Sequence, residues 1–367
     1  MNNSSNIKPS VSVVMPIFNA SQYLKKSLES VCKQTLKNIE IICVNDGSTD
    51  DSLSILKNYA KDDSRIKIID GINHGYGYAM NQGIKHSSGE YIGIVEPDDF
   101  IDDTMYESLY FKAKKHNLDV IKSNYYEYHG KEDQDIYFEV LENLAYNKVT
   151  NAKEDKNIVV LRPCIWSSIY RRDFLIENNI KFNETPGASY QDTAFAFKIW
   201  IFAQRVYFVE EPFLHYRVDN EASSVNSSKK IFSICDEFYN IHTVLNENRE
   251  LKNEFINILQ VLKTNTYQWN ELRIADEYKS MFRDQIALEF IKAEYEGNID
   301  YSLFDKAQYD YIQKIIYEFK DKQNYNPVEH REYEIMRNSE SYKIGHALML
   351  FPSFLKRKIK NYIQNNS

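Results

Sequence analysis

Three carboxylates, Glu96, Asp98 and Asp99, follow directly behind the apolar segment 91–94. A short apolar run predicts a buried strand, so these side chains are expected at the carboxyl end of that strand. Carboxylate oxygens are suitable ligands for Mg²⁺ or Mn²⁺, which proteins often hold with one or two acids together with substrate phosphates. The pattern therefore predicts a divalent cation bound against a phosphorylated compound. The alternative is that Pro97-Asp98-Asp99 forms only a turn or a cap before the next helix.

Five short apolar, β-branched runs recur in the N-terminal third of the chain, with helical patterns between them. Their centres lie 29, 26, 26 and 26 residues apart, at Val13, Ile42, Ile68, Ile94 and Val120. A repeat of this length suits a strand followed by a crossover helix, which parallel strands require. From about residue 229 to 319 the pattern becomes helical without glycine-rich loops. We therefore predict an α/β fold, a Rossmann-like, mostly parallel sheet flanked by helices, with a C-terminal helical appendage.

Polar residues follow each of the first four predicted strands, and the ends of parallel strands share one edge of a sheet. The first strand ends in Pro16-Ile17-Phe18-Asn19, the second leads to Asp46-Gly47-Ser48, and the third leads to Asn73-His74-Gly75. Together with the acidic cluster, this edge suits a nucleoside diphosphate bound with a cation. No G-x-G-x-x-G follows the first strand, which argues against a dinucleotide site. Asp46-Gly47-Ser48 can alternatively be a plain strand-to-helix turn.

Composition limits the class of protein. The chain has 367 residues and a formal net charge of −8, which disfavours binding to nucleic acid. Its four cysteines show no metal-ligand spacing and its N-terminus has no apolar signal sequence, so we expect a cytoplasmic protein with reduced thiols. We predict a disordered segment 1–10, a main α/β domain 11–228, a helical domain 229–335 and a basic, amphipathic tail 336–367.

Three stretches occur in an order and at spacings shared with one known family: VSVVMPIFNASQYLKKSLESVCKQTLKNIEIICVNDGSTDDS, NHGYGYAMNQGIKHSSGEYIGIVEPDDF and YQDTAFAFK. The chain resembles a family 2 glycosyltransferase of the GT-A fold, of the type that builds bacterial surface polysaccharides such as capsule or lipopolysaccharide. The resemblance implies that 11–228 is the glycosyltransferase domain. It also implies an inverting, metal-dependent transfer of a sugar from a nucleoside-diphosphate donor, expected to be UDP-linked, to a glycan or lipid-linked glycan.

The resemblance also implies roles for individual residues. Asp192 falls where the family has its catalytic base, and Arg217 where a basic residue approaches the diphosphate. Asp98 and Asp99 are the implied ligands of Mn²⁺ or Mg²⁺, and His215 is a further candidate ligand. The implied nucleotide-sugar-binding residues are Pro16, Phe18, Asn19, Asp46, Asn73, Gly75, Glu96, Pro97, Asp98, Trp166 and Arg217.

Two departures from the family pattern leave alternatives open. Glu96 is one methylene longer than the aspartate that begins the D-x-D motif, so it can serve as a metal ligand or as a ribose partner. Gln191 stands where an acid commonly precedes the base. A non-catalytic, glycan-binding or scaffolding relative is therefore an alternative. A sugar nucleotidyltransferase is another, although its usual glycine-rich, basic loop is missing after the first strand.

Three of the implied site residues also have structural alternatives. Asp192 can instead stabilise the first turn of a helix. His215 can have a purely structural role, and Trp166 can belong to the core.

The segment 341–367 contains basic residues and no acidic side chain. If a helix begins near Pro352, apolar and basic residues fall on different faces of it. We expect this helix to lie in the interface of an anionic membrane and to bring the enzyme there peripherally. The alternative is that its apolar face docks onto the helical domain. The relevant residues are Lys343, Leu355, Lys356, Arg357, Lys358, Ile359, Lys360 and Ile363.

Overall fold

The computed structural model describes residues 8–141, 145–220 and 231–323. The predicted disordered segment 1–10 lies largely outside these ranges, and the predicted tail 336–367 lies wholly outside them. Within the described ranges, no helix is both long enough and apolar enough to span a membrane.

The first part of the sheet consists of parallel strands separated by helices, as predicted. The elements are β1 (Val11–Ile17), α1 (Leu24–Cys32), β2 (Ile39–Asp46), α2 (Ser52–Asp62), β3 (Ile66–Gly71), α3 (Tyr76–His86) and β4 (Tyr91–Ile94). The strand order is β3-β2-β1-β4. β1 and β2 are buried along their whole length, which is typical of strands covered on both faces. The segments that follow these strands therefore meet at one edge of the sheet.

The second part of the sheet is mixed in direction. Its elements are β5 (Phe100–Ile101), α4 (Met105–His116), β6 (Val120–His129), β7 (Gln134–Phe138), β8 (Val149–Thr150), β9 (Ser168–Arg171), α5 (Arg172–Glu177), α6 (Gln191–Phe202) and β10 (Val206–Arg217). β9 runs antiparallel between β4 and β6, so the fifth predicted strand does not lie beside the fourth. β6 and β10 pair in parallel and run in the same direction as β4. The end of β10 therefore reaches the same edge of the sheet.

In the part of the chain that the structure describes, four α-helices follow the sheet: α7 (Ser233–Glu247), α8 (Arg249–Arg273), α9 (Asp276–Tyr295) and α10 (Lys306–Gln323). α7 packs against α6, and α8 packs against the 3-10 turn Lys156–Val160. The buried apolar side chains of these helices form one contiguous cluster with those of the sheet. The predicted boundary between the domains 11–228 and 229–335 lies outside the described residues.

Candidate active site

A cavity of about 1030 Å³ lies along the carboxyl edge of β1–β4. Ten of the residues predicted from the sequence line it: Pro16, Phe18, Asp46, Asn73, Gly75, Glu96, Pro97, Asp98, Trp166 and Asp192. Four others do not line it: Asn19, Asp99, His215 and Arg217. The structure thus brings most of the predicted nucleotide-binding residues and the predicted base to one place.

Asp46 holds the loop that follows β3. Its two carboxylate oxygens accept hydrogen bonds from the backbone N–H groups of His74 and Gly75, both at 2.8 Å. Gly75 has a φ of +98°, and a Cβ at this position would lie 2.8 Å from the backbone nitrogen of Gly187, so only glycine fits without strain. The N–H of Tyr76 donates to the carbonyl oxygen of Gly187 at 3.1 Å. The loop after β3 is therefore held between β2 and the segment before α6.

Phe18 and Asn19 follow β1 but face different surroundings. Phe18 is 50% exposed on the cavity wall, where its ring is available for stacking. The side-chain oxygen of Asn19 accepts from the Thr49 N–H at 2.8 Å, and its own N–H donates to Ser48 Oγ at 3.0 Å. Asn19 therefore ties the loops after β1 and β2 together from outside the cavity.

The acidic segment after β4 presents two carboxylates to the cavity. Tyr76 Oη donates to Glu96 Oε1 at 2.6 Å. Burial raises the pKa of Glu96 to about 8, and the negative charges of Asp98 and Asp192 add to the shift. Asn220 Nδ2 donates to Asp98 Oδ2 at 2.7 Å. The raised pKa of Glu96 favours the neutral form of this side chain at pH 7.

Asp99 is 1% exposed and lies behind the cavity wall. Its Oδ1 accepts the Arg217 N–H at 2.8 Å, and its Oδ2 has no hydrogen-bond partner among the described residues. Burial, followed by the neighbouring Asp98 carboxylate, raises the pKa of Asp99 well above its usual value. Arg217 Nε donates to the Asp98 carbonyl oxygen at 3.1 Å, and Nη1 pairs with Asp219 at 3.3 Å. Arg217 therefore braces the acidic segment, and its contact with a diphosphate stays a prediction.

His215 lies away from the cavity. Its two ring nitrogens lie 3.2 Å from a carboxylate oxygen of Asp102 and 2.8 Å from one of Asp135. The ring also stacks on Phe100, with centroids 4.3 Å apart. Both nitrogens thus have protein partners, and these contacts match the structural alternative for His215.

A cation site on this edge of the sheet would be completed by a substrate. Within the described ranges, no three or more His, Cys, Asp or Glu side chains form a group that could hold a metal ion. Mg²⁺ and related cations are commonly bound through one or two carboxylates together with substrate phosphates. Asp98 on the cavity wall, with the unpartnered oxygen of Asp99 behind it, fits a cation of this kind.

Asp192 lies in the first turn of α6 and lines the cavity. Burial raises the pKa of Asp192 to about 6, while hydrogen bonds from first-turn N–H groups and the positive charge of Arg162 oppose the shift. A carboxyl that titrates near neutral pH is suited to accept a proton during a reaction. The hydrogen bonds from first-turn N–H groups also match the helix-stabilising alternative for Asp192.

The residues just before Asp192 are held by side-chain contacts. Gln191 is 1% exposed, its side-chain oxygen accepts from the Ser189 N–H at 2.5 Å, and its Nε2 donates to Thr185 Oγ1 at 2.8 Å. An amide can make both contacts, whereas an ionised carboxylate only accepts. Tyr190 has a φ of +60°, a conformation that residues other than glycine rarely adopt. Gln191, which stands where the family commonly has an acid, therefore stabilises the turn before α6 through its contacts with Ser189 and Thr185.

Trp166 belongs mainly to the core. It is 7% exposed and stacks on Tyr216, with ring centroids 5.0 Å apart and planes inclined by 9°. Tyr125 contacts it edge-on at 4.6 Å. The side chain still lines the cavity, so its buried ring forms part of a rigid wall.

A second wall of the cavity comes from the helical region, which the sequence reasoning did not include. This α8 wall consists of Leu262, Asn265, Thr266, Trp269 and Arg273. The i, i+4 spacing of Trp269 and Arg273 places both on one helix face. Arg162, in the segment that follows the 3-10 turn packed on α8, also lines the cavity. The helix pattern was visible in the sequence, but nothing in it indicated that α8 reaches the edge of the sheet.

Comparison with known sequences assigns the chain to a family. The family model described as Glycosyl transferase family 2 matches residues 12–177. EpsH of Bacillus subtilis (strain 168), which carries a glycosyltransferase name, is 32% identical over 250 residues, which make up 66% of this chain and 71% of EpsH. The chain belongs to glycosyltransferase family 2. The resemblance predicted from the three sequence stretches is thereby confirmed, and the protein is a glycosyltransferase.

Solved structures of other proteins share the fold of this family 2 glycosyltransferase. Residues 1–349 of S. aureus TarS, in complex with UDP-GlcNAc, superpose with a TM-score of 0.56 at 21% identity, covering 77% of this chain and 81% of that chain. A mannosyltransferase from Pyrobaculum calidifontis, in complex with GDP-Man and Mn²⁺, gives a TM-score of 0.50 at 12% identity, covering 88% and 89%. The predicted α/β fold with its C-terminal helices is confirmed.

Proposed function

We propose that this family 2 glycosyltransferase transfers a sugar from a UDP-linked donor to a glycan or lipid-linked glycan acceptor, with inversion and with Mn²⁺ or Mg²⁺. The supporting observation is that Asp192, with its pKa raised to about 6, lines the same cavity as Asp46, Glu96 and Asp98. The role in bacterial surface polysaccharide synthesis, as in capsule or lipopolysaccharide, rests on the family resemblance.

The transfer requires a base on the acceptor side and a leaving group on the donor side. Asp192 takes the proton from an acceptor hydroxyl while that oxygen forms a bond to the anomeric carbon of the donor sugar. The bond between the anomeric carbon and the β-phosphate oxygen breaks in the same step, and UDP leaves with the electron pair. Attack from the face opposite to UDP inverts the configuration at the anomeric carbon.

The donor side supplies contacts for the nucleotide and the cation. Phe18 offers a ring for stacking on the base, and Asp46 holds the loop after β3 that lines the nucleotide side. Asp98, supported by Asp99, would hold the cation, which when bound offsets the charge that develops on the leaving diphosphate. The raised pKa of Glu96 favours a neutral side chain that bonds a ribose hydroxyl.

UDP binding tests this assignment. Calorimetry compares the wild-type chain with Asp98→Ala and with the control Asp103→Ala, which removes an exposed acid that does not line the cavity. We expect wild type and control to bind UDP in the presence of Mn²⁺ and to lose binding in EDTA, and Asp98→Ala to bind weakly in both conditions. Equal UDP affinity with and without the cation would refute the metal site.

Turnover is then measured as UDP release from a panel of UDP-sugars. Release that depends on Asp98 and Asp192 supports the proposal. UDP binding without release from any donor, even at high enzyme concentration, would instead favour a non-catalytic, glycan-binding relative.

We further propose that the segment 341–367 brings the enzyme to an anionic membrane surface. The support comes from the sequence, where apolar residues at helical spacing would share one face of a helix and basic residues would lie away from that face. A lipid-linked acceptor would be presented at such a surface.

A further inference from the structure

The charged residues that line the cavity differ in sign between its two sides. Among the described residues, the acids that line it come from the strand ends and from the start of α6: Asp46, Glu96, Asp98 and Asp192. The cations among the described lining residues are Arg162 and Arg273. The side formed by the strand ends is therefore acidic and suits a cation bound to the phosphates of a donor. The side formed by the α8 wall and Arg162 is positively charged.

Arg273 lies over the face of an indole ring. Its guanidinium carbon lies 4.1 Å from the centroid of Trp269, and its Nη1 donates to Tyr190 Oη at 2.8 Å. A guanidinium has five N–H donors in a planar fork, a geometry that suits the oxygens of a phosphate or a carboxylate. Trp269 is 42% exposed, so part of its ring is available for contact with a sugar.

Arg162 approaches the same region from another segment of the chain. Its Nη1 donates to Tyr125 Oη at 2.9 Å and pairs with Glu127 at 3.1 Å, and its side chain is 47% exposed. Arg162 and Arg273 both interact electrostatically with Asp192. Two guanidiniums from different segments therefore line the same cavity as the proposed base, which has to face the acceptor hydroxyl.

We propose that Arg162, Arg273 and Trp269 form a subsite for an acceptor glycan that carries an anionic group, either a phosphate or a carboxylate. The indole packs against a sugar ring, and the guanidiniums bind the anion through charge-assisted N–H···O bonds. The subsite rests on the proposed function, since it assumes that Asp192 receives the acceptor's proton. The donor diphosphate is assigned instead to the acidic side, where Asp98 and a cation suit it.

The experiment measures the donor site and the subsite separately in the full-length chain. UDP with Mn²⁺ is first titrated into each variant by calorimetry. The UDP-saturated protein is then titrated with trehalose 6-phosphate against trehalose, and with a hyaluronan disaccharide against neutral chitobiose. The variants are Arg273→Gln, Arg162→Gln and Trp269→Ala, and the control Arg249→Gln removes an exposed arginine at the other end of α8.

We expect UDP-saturated wild type and Arg249→Gln to bind at least one anionic sugar roughly tenfold more tightly than its neutral counterpart, the scale of charged hydrogen bonds. Whichever anionic sugar shows the preference identifies the group as phosphate or carboxylate. Arg273→Gln and Arg162→Gln should each remove most of the preference with UDP affinity unchanged. Trp269→Ala should weaken anionic and neutral sugars alike. Because the two arginines lie on different segments, misfolding of one variant leaves the other informative.

Two results would overturn the subsite. In the first, wild type binds neither anionic sugar more tightly than its neutral counterpart although UDP binds. In the second, the arginine variants weaken UDP as much as the anionic sugar, which would assign both arginines to the donor diphosphate. Failure of wild type to bind UDP at all would refute the proposed function itself, and the subsite with it.

Discussion

Replacing Asp192 by asparagine is expected to inactivate the enzyme and to stabilise its fold above pH 6. Asparagine has nearly the same shape and can still accept hydrogen bonds from the first turn of α6, but it does not take up a proton. Loss of a general base lowers kcat by a factor of about 10² or more. UDP affinity should change little, because the proposed mechanism assigns this carboxylate to the acceptor.

The expected gain in stability follows from the pKa. Burial raises the pKa of Asp192 from 3.8 to about 6, so the folded state binds this proton more tightly than the unfolded state does. The resulting stabilisation is complete below about pH 4 and is lost as the pH rises through about 6. A shift of about two pKa units corresponds to about 3 kcal/mol. Asp192→Asn lacks this loss, so at pH 8 it should be more stable than wild type by up to about 3 kcal/mol.

Urea unfolding at pH 5 and pH 8, together with sugar transfer between pH 5 and pH 9, measures both effects. The control is Asp276→Asn, which changes an exposed acid in the first turn of α9. It should lose at most about 1 kcal/mol, the scale of an acid at a helix start. The wild-type rate should rise with pH through about 6, and the residual rate of Asp192→Asn should lack this rise.

A purely helix-stabilising Asp192 would give the opposite sign. The variant would then be less stable than wild type at pH 8, by about as much as the control, and its kcat would be near normal. That pair of results would show that the base lies elsewhere.

Three further changes test other parts of the molecule. Gly77→Ala should destabilise the protein by about 1–3 kcal/mol in urea unfolding, because its Cβ would collide with the Asn183 carbonyl oxygen. Gly71→Ala, where no described atom lies within 4 Å of the added Cβ, should be neutral, and equal effects of the two would contradict this reasoning. Burial lowers the pKa of Lys122 to about 8. The free energy of unfolding of wild type relative to Lys122→Met should therefore rise as the pH increases from about 8 to 10.5. A difference in this free energy that stays constant with pH would argue against the buried charge. Removal of 341–367 should abolish co-sedimentation with anionic liposomes at low salt, and equal partitioning of the full and shortened chains would rule out the membrane role.

The donor side of the cavity was predictable from the sequence because it depends on local patterns. Strands separated by crossover helices have to end at one edge, so the order of strands and helices is enough to place Asp46 and Asp98 together. The finer arrangement was not predictable. Asp98 lines the cavity while its neighbour Asp99 is buried behind it, and both occur in the same acidic run. Which carboxylate faces the cavity depends on how the turn after β4 packs.

The α8 wall was not predicted, because it depends on contacts between distant parts of the chain. β9 enters the sheet antiparallel between β4 and β6, and no local pattern indicates that insertion. α8 contributes Trp269 and Arg273 only because it packs beside the segment before β9. His215 was a candidate ligand because it falls near the expected position of the diphosphate, yet in the fold its ring contacts carboxylates outside the cavity.

The contact between Tyr190 and α8 couples the sheet region to the C-terminal helices. Neither can therefore be replaced by the matching part of a relative without affecting the other. Tyr190 comes two residues before Asp192, adopts a left-handed conformation and bonds Asn270 and Arg273 of α8. A chimaera that takes its helices from a relative, in order to accept a different glycan, would also replace the side chains that hold the turn before Asp192, the proposed base. Changes in acceptor preference and changes in catalytic rate should therefore arise together along this lineage. A grafted α8 would need to keep the Asn270 and Arg273 positions for the base to stay in place.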